Sequence, residues 1–308
     1  MKKRIDKIAM YLALILVSSL QLPMDVFADD EKQSSSIRPM PRAGNSASVT
    51  KHRILSEKEQ QIVKEAAEAV SEIHQALEAL DKNDMKKAFF TMQTASEKLD
   101  VVLAKHPTLA LTPVDIEVDT SDFQGDAKSI EKAINEADDL LNDGKLQAAR
   151  QILAELASEI RITTISMPLG SFPTAIKNAV PLINKGEAKE AANLLNQALN
   201  MLVETTEIIP LPFLRAEALV DEADDLEHKK DQSKEKSRED VLKFTDAAKD
   251  QLKIAELLGY GDKDDFKALY TEIDDIKETL HTARSTAAWE KIKHRLAELK
   301  DKVIHPKT

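Results

Sequence analysis

The sequence predicts a mainly α fold, a compact multi-helix domain built from antiparallel αα-hairpins. Three observations predict it. Only seven glycines occur in 308 residues, while Ala, Leu, Glu and Lys dominate the chain. Apolar residues recur at the helical period from Ile54 onward, each stripe with a polar opposite face that forces one side to bury. One hairpin pattern also appears three times.

The N-terminus comes first. "MKKRIDK" is a basic start, "IAMYLALILVSSLQL" an apolar run, and "VFA" precedes "DDEKQSSS". This is the pattern of a cleavable signal peptide, residues 1–28, with the cut between Ala28 and Asp29. The run is short for a membrane anchor, and Pro23 and Asp25 follow it. No twin arginine is present, which favours the general secretion route. Residues 29–53 hold Ser, Pro, Gly and charge without apolar periodicity, and read as a disordered tether. Residues 54–304 then read as a single helical domain.

The first stripes are Ile62, Ala66, Ala69, Val70, Ile73, Leu77, Leu80 and then Met85, Ala88, Phe89, Met92, Leu99, Val102. The next run Ile130, Ala133, Ile134, Ala137, Leu140, Leu141 and then Leu146, Ala149, Leu153, Leu156, Ile160. Three stretches align on Asn83, Gly144 and Gly186. Alanine stands seven residues before each anchor (Ala76, Ala137, Ala179) and five after (Ala88, Ala149, Ala191). Leu80, Leu141 and Ile183 stand three before; Leu99, Ile160 and Leu202 stand sixteen after. The anchor suits a left-handed helix terminus, and the alanines suit close helix approach. The pattern is like a tetratricopeptide hairpin. However, the anchors are 61 and 42 residues apart rather than a constant 34 or so, so a compact body is expected instead of a superhelix.

Two stretches have strand character. "TPVDIEVDT" sets Val114, Ile116 and Val118 against acids, and "IRITTISMP" places Ile160 and Ile162 on one face. A small two-stranded ribbon near 113–119 and 160–166 is expected. Asp115, Glu117 and Asp119 share one face. They read as solvated carboxylates, because the glycine turn and spaced ligands of a calcium loop are absent.

Two Pro-containing apolar stretches follow the same plan. In "VETTEIIPLPFLRAEALV" a helix is expected to end at "MLVETTE". Pro210 and Pro212 block its continuation, and Pro212 suits the first turn of the next helix. "ISMPLGSFPTAI" repeats the design around Pro168 and Pro173. Met167, Leu169, Phe172, Ile209, Leu211 and Phe213, with Tyr260 packed back from "LLGYGDKDD", form a candidate apolar corner or ligand pocket on one shared core. The segment "EHKKDQSKEKSRED" reads as exposed. Beyond it come a helix through Val241, Leu242, Phe244, Ala248, Leu252, Ala255 and Leu258 and a last hairpin. That hairpin is lined by Phe266, Leu269, Ile273, Ile276, Leu280, Trp289, Ile292, Leu296 and Leu299.

Composition excludes several function classes. The chain has no cysteine, hence no disulfide framework and no thiolate nucleophile. Removal of residues 1–28 takes away four basic and two acidic residues and leaves 39 against 52, a net charge of −13. Nucleic acid is therefore not an expected partner, and neither is stable membrane insertion. The seven histidines, His52, His74, His106, His228, His281, His294 and His305, show no metal-ligand spacing. Nucleophile elbows, phosphate loops and dinucleotide fingerprints are absent as well. No catalytic, metal or cofactor site is expected, and the protein is not expected to be an enzyme.

"LNDGKLQAARQILAELASEIRI", "SMPLGSFPTAI", "INKGEAKEAANLLNQALNMLVE", "IIPLPFLRAEALVDEA" and "AKDQLKIAELLGYG", in that order, resemble the YfdX family of bacterial proteins over roughly residues 57–300. The resemblance implies a mainly helical domain, secretion to the periplasm, homo-oligomers, and an association with acid, heat or drug stress. It carries no catalytic residues. The expected function is a periplasmic, non-enzymatic protein-interaction or holdase-type role, with itself and other periplasmic proteins as partners. The alternative is a small-molecule binder using the apolar corners.

Overall fold

The computed structural model describes residues 63–228 and 234–305. The signal sequence with Ala28 and Asp29, the tether, and part of the charged stretch after His228 lie outside the described residues. The elements run α1 (Lys64–Asp81), α2 (Met85–Lys105), β1 (Leu111–Asp122), α3 (Ala127–Asn142), α4 (Leu146–Glu155), β2 (Ser158–Pro168), α5 (Phe172–Asn184), α6 (Ala188–Leu199), β3 (Val203–Pro210), α7 (Leu211–His228), α8 (Lys234–Leu257), α9 (Lys263–Thr279) and α10 (Ser285–Ile304). The fold is mainly α, with one small antiparallel sheet.

The three repeated hairpins are α1–α2, α3–α4 and α5–α6. Each turns on its anchor in the left-handed region: Asn83 at φ 58°, Gly144 at 74° and Gly186 at 80°. Each closes with one long backbone bond. The N–H of Asp84 donates to Ala79 at 2.8 Å, that of Lys145 to Leu140 at 2.8 Å, and that of Glu187 to Leu182 at 2.9 Å. This is the six-to-one bond of a Schellman helix terminus. The alanines on either side, Ala76 with Ala88, Ala137 with Ala149 and Ala179 with Ala191, are all buried, so each helix pair crosses over side chains that end at Cβ.

Each hairpin leads into a strand, so the unit that recurs is ααβ. The sheet order is β1-β2-β3, antiparallel throughout. Leu111 to Asp122 pair with Pro168 to Ser158, and Glu159 to Ser166 pair with Pro210 to Val203. The expected two-stranded ribbon is thus extended by a third strand. Residues 203–207 do not end a helix: α6 stops at Leu199, and Val203, Thr205, Thr206, Ile208 and Ile209 form β3. Branching at Cβ explains the preference. The repeat also breaks sixteen residues after its anchors: Leu99 is helical, Ile160 is in β2, and Leu202 lies between α6 and β3.

The apolar interior comprises three clusters, not the single shared core expected. α1, α2, α5 and α6 form a four-helix unit around Ile73, Met92, Leu99, Ile176 and Leu195, joined by Val114 and Met167. α7 to α10 enclose Phe213, Phe266, Ile273, Trp289 and Leu296. Between them Ile160, Ile162, Ile209, Leu211 and Leu214 join the sheet to α7. A bulge at Val114 shifts the β1–β2 register, and one extra residue moves later side chains to the other face. Val114 therefore joins the first cluster, whereas Ile116 and Val118 pack on the third.

An added Cβ at Gly186 meets nothing within 4 Å, so only its φ resists substitution. Gly186→Ala is expected to lower stability by about 1–2 kcal/mol. Asn83→Gly, which relieves the same conformation, should leave stability equal or higher. Urea unfolding of the two variants checks both.

Candidate functional site

The two apolar corners sit at opposite ends of β2. Pro168 opens the first and pairs with Leu111; Pro210 opens the second and pairs with Glu159. Nine residue steps along the strand separate them, about 30 Å. Met167, Leu169 and Phe172 are buried in the four-helix unit. Ile209 and Leu211 are buried on the sheet. Phe213 lies in the C-terminal cluster, stacked on Phe266 with centroids 6.0 Å apart. The structure brings Ile209, Leu211, Phe213 and Tyr260 to one end of the sheet, and Met167, Leu169 and Phe172 to the other. These residues do not line one cavity.

At the second corner the apolar residues surround a polar relay. Tyr260 donates its hydroxyl to Glu159 Oε2 at 2.8 Å and accepts from the Ser158 N–H at 3.0 Å. Burial and the Glu159 carboxylate push the Tyr260 phenol well above its ordinary value, so it remains a donor at any physiological pH. Glu159 Oε1 accepts from Arg161 at 2.7 Å. The Ser158 hydroxyl donates to Asp122 Oδ1 at 2.9 Å and accepts from the Phe123 N–H at 3.1 Å; Asp122 Oδ2 accepts from Arg215 at 2.6 Å. Ser158 and Glu159 are buried, and buried polar atoms require such partners. The relay ties the ends of β1 and β2 to α7 and to the α8–α9 turn.

A second buried carboxylate, Glu227 at the end of α7, accepts from the backbone N–H of His281 and from the indole of Trp289. His281 itself adopts φ 60°. Together these bonds fix the α9–α10 turn. Asp115, Glu117 and Asp119 are exposed on β1, and no group of three metal-ligating side chains occurs among the described residues.

The surface offers a different feature on the middle hairpin. Leu141, Leu146 and Leu153 are 42%, 61% and 47% exposed, although their stripes were expected to face a core. Beside them lies a shallow depression of about 280 Å³ lined by Gln147, Arg150, Gln151 and Ala154. Arg150, Glu131, Glu136 and Asp139 have no ion-pair partner among the described residues.

Residues 69–208 match the family model described as YfdX protein. Over those residues the chain is similar to the YfdX family. The match ends within β3, so α7 to α10 lie beyond it, whereas the sequence resemblance extended to about residue 300. A solved structure of Salmonella Typhi YfdX is 18% identical, with 49% of this chain and 93% of that chain covered at a TM-score of 0.35. No curated protein matches the chain. The matched residues run from within α1 to within β3, across the three ααβ repeats, and the relay at Tyr260 joins them to the C-terminal helices.

Tyr260→Phe removes the donor to buried Glu159 and the acceptor of the Ser158 N–H. The expected loss is about 1–3 kcal/mol, read by urea unfolding. A double-mutant cycle with Glu159→Gln should show clear coupling.

Proposed function

We propose that this protein is a periplasmic, stress-associated, non-enzymatic interaction protein of holdase type that associates with itself and with other periplasmic proteins. The carrying observation is the exposed leucine face of the middle hairpin in a chain similar to the YfdX family over residues 69–208. Exposed apolar patches rimmed by polar residues are common protein-interaction surfaces. Periplasmic export rests on the signal-peptide pattern of residues 1–28, and no described helix is long and apolar enough to cross a membrane.

The charge distribution supports an acid response. Hydrogen bonds from Lys105 and Lys98 hold Glu65 and Glu68 below the ordinary carboxylate value. Lys249 does the same for Asp274. These pairs tie α1 to α2 and α8 to α9. A depressed folded pKa stabilises above the unfolded value, 4.5 for Glu and 3.8 for Asp, and that contribution disappears as pH falls through the folded pKa. In the same range the net charge rises from −13 toward +46 as carboxylates neutralise and the seven histidines charge. Loosened hairpins on a highly charged, soluble chain would expose apolar surface without self-precipitation.

Melting temperature should stay flat from pH 7 to about 5 and fall below about 4. The single Trp289, buried in the C-terminal cluster, provides the fluorescence readout. Replacing both Lys98 and Lys105 by Met should remove part of that fall. The functional test is suppression of a reporter protein's aggregation at pH 7 and pH 4. Soluble, reversible suppression in acid supports the proposal, and acid unfolding of this chain with no suppression contradicts it. Mass analysis of the protein recovered from periplasm should give an N-terminus at Asp29.

A further inference from the structure

The repeat itself indicates what covers the middle hairpin. Ten residues before the three anchors stand Ile73, Ile134 and Ile176; three before, Leu80, Leu141 and Ile183; nine after, Met92, Leu153 and Leu195. In the outer hairpins these positions are buried, with Met92 and Leu195 fully so. They are buried because the outer hairpins pack on each other, α1 against α6 and α2 against α5, within one apolar cluster. The middle hairpin carries the same side-chain classes at the same offsets. α3 touches α8, yet Leu141 and Leu153 remain about half exposed. No second hairpin among the described residues covers them.

We infer that the α3–α4 face docks a second copy of itself, giving a two-fold dimer in which four helices repeat the arrangement of the outer hairpins. That arrangement sets first helix against second helix. Applied to two copies, α3 meets the partner copy's α4 and α4 meets its α3, which is self-complementary under a two-fold axis. Charge agrees with this pairing. α3 carries Glu131, Glu136, Asp138 and Asp139 against Lys128 and Lys132, a net of −2. On α4 Arg150 stands against Glu155, while Lys145 at its N-cap is already paired with Asp143 within the hairpin at 2.9 Å. Arg150 stands between Leu146 and Leu153 on the exposed side of α4, without an ion-pair partner among the described residues, and the docked geometry offers it the acidic helix of the other copy. Such charge matching sets register and orientation. The hairpin is long enough: α4 has 10 residues, and α6, which already serves in the outer pairing, has 12.

This inference rests on the self-association proposed above and assigns it a surface. The test is light scattering with size exclusion on the mature full chain across a hundredfold concentration range. Leu153→Glu and Leu146→Ser should each raise the dimer dissociation constant at least tenfold while leaving the circular dichroism spectrum unchanged. Phe90→Glu, an exposed apolar position on α2, should not. If the folded variants associate as the parent does, this assignment is overturned and self-association stands on another surface. A parent chain that is monomeric throughout overturns both, and points to another segment of the chain or a different partner as the cover.

Discussion

The close crossing of two helices over alanine, immediately after a left-handed turn, is the constraint on which this structure depends. Asn83, Gly144 and Gly186 reverse the chain within three residues, and the Schellman bond after each fixes the angle of exit. A reversal this tight brings helix axes near each other, and side chains larger than methyl at the crossing would push them apart. Everything apolar beyond the crossing is then displayed outward on one face of the hairpin. Two hairpins solve this by covering each other. The third carries the same display and has no counterpart among the described residues, which makes its leucines the chain's main claim to an interaction surface.

The sheet converts three similar hairpins into one body. β2 is central, and its two halves serve different cores: Ile160 and Ile162 face α7, while Ile165 and Met167 join the four-helix unit. Where β2 begins, the buried Ser158 and Glu159 need partners, and Tyr260 supplies one to each from about a hundred residues away. The C-terminal helices are therefore attached to the three ααβ repeats by a relay whose members lose partners if the attachment opens. That asymmetry, modest gain when made and larger cost when broken, explains how a polar contact can fix the junction.

The hairpins were legible because their signals are local: an anchor residue, two alanines at set offsets, and a helical stripe. β1 and β2 were legible by alternation. β3 is masked in the sequence by Pro210 and Pro212, which mark where a helix must stop. The β-branched run Val203, Thr205, Thr206, Ile208 and Ile209 was the signal that could have shown it. Met167, Leu169, Phe172, Ile209, Leu211 and Phe213 are buried, but no local pattern reveals that the two corners lie at opposite ends of one strand. The Tyr260 relay and the exposure of Leu141, Leu146 and Leu153 depend on distant packing. A stripe states that a face must be covered and leaves open whether the same chain provides the cover.

Completion of the middle hairpin by a second copy is tested most directly by amide hydrogen exchange across α4, followed from dilute to concentrated protein. Protection of residues 146–155 should rise with concentration while α1 and α2, already covered within the chain, remain unchanged. Exchange in α4 that is independent of concentration, while the protein's mass shows association, would contradict a dimer built on this face.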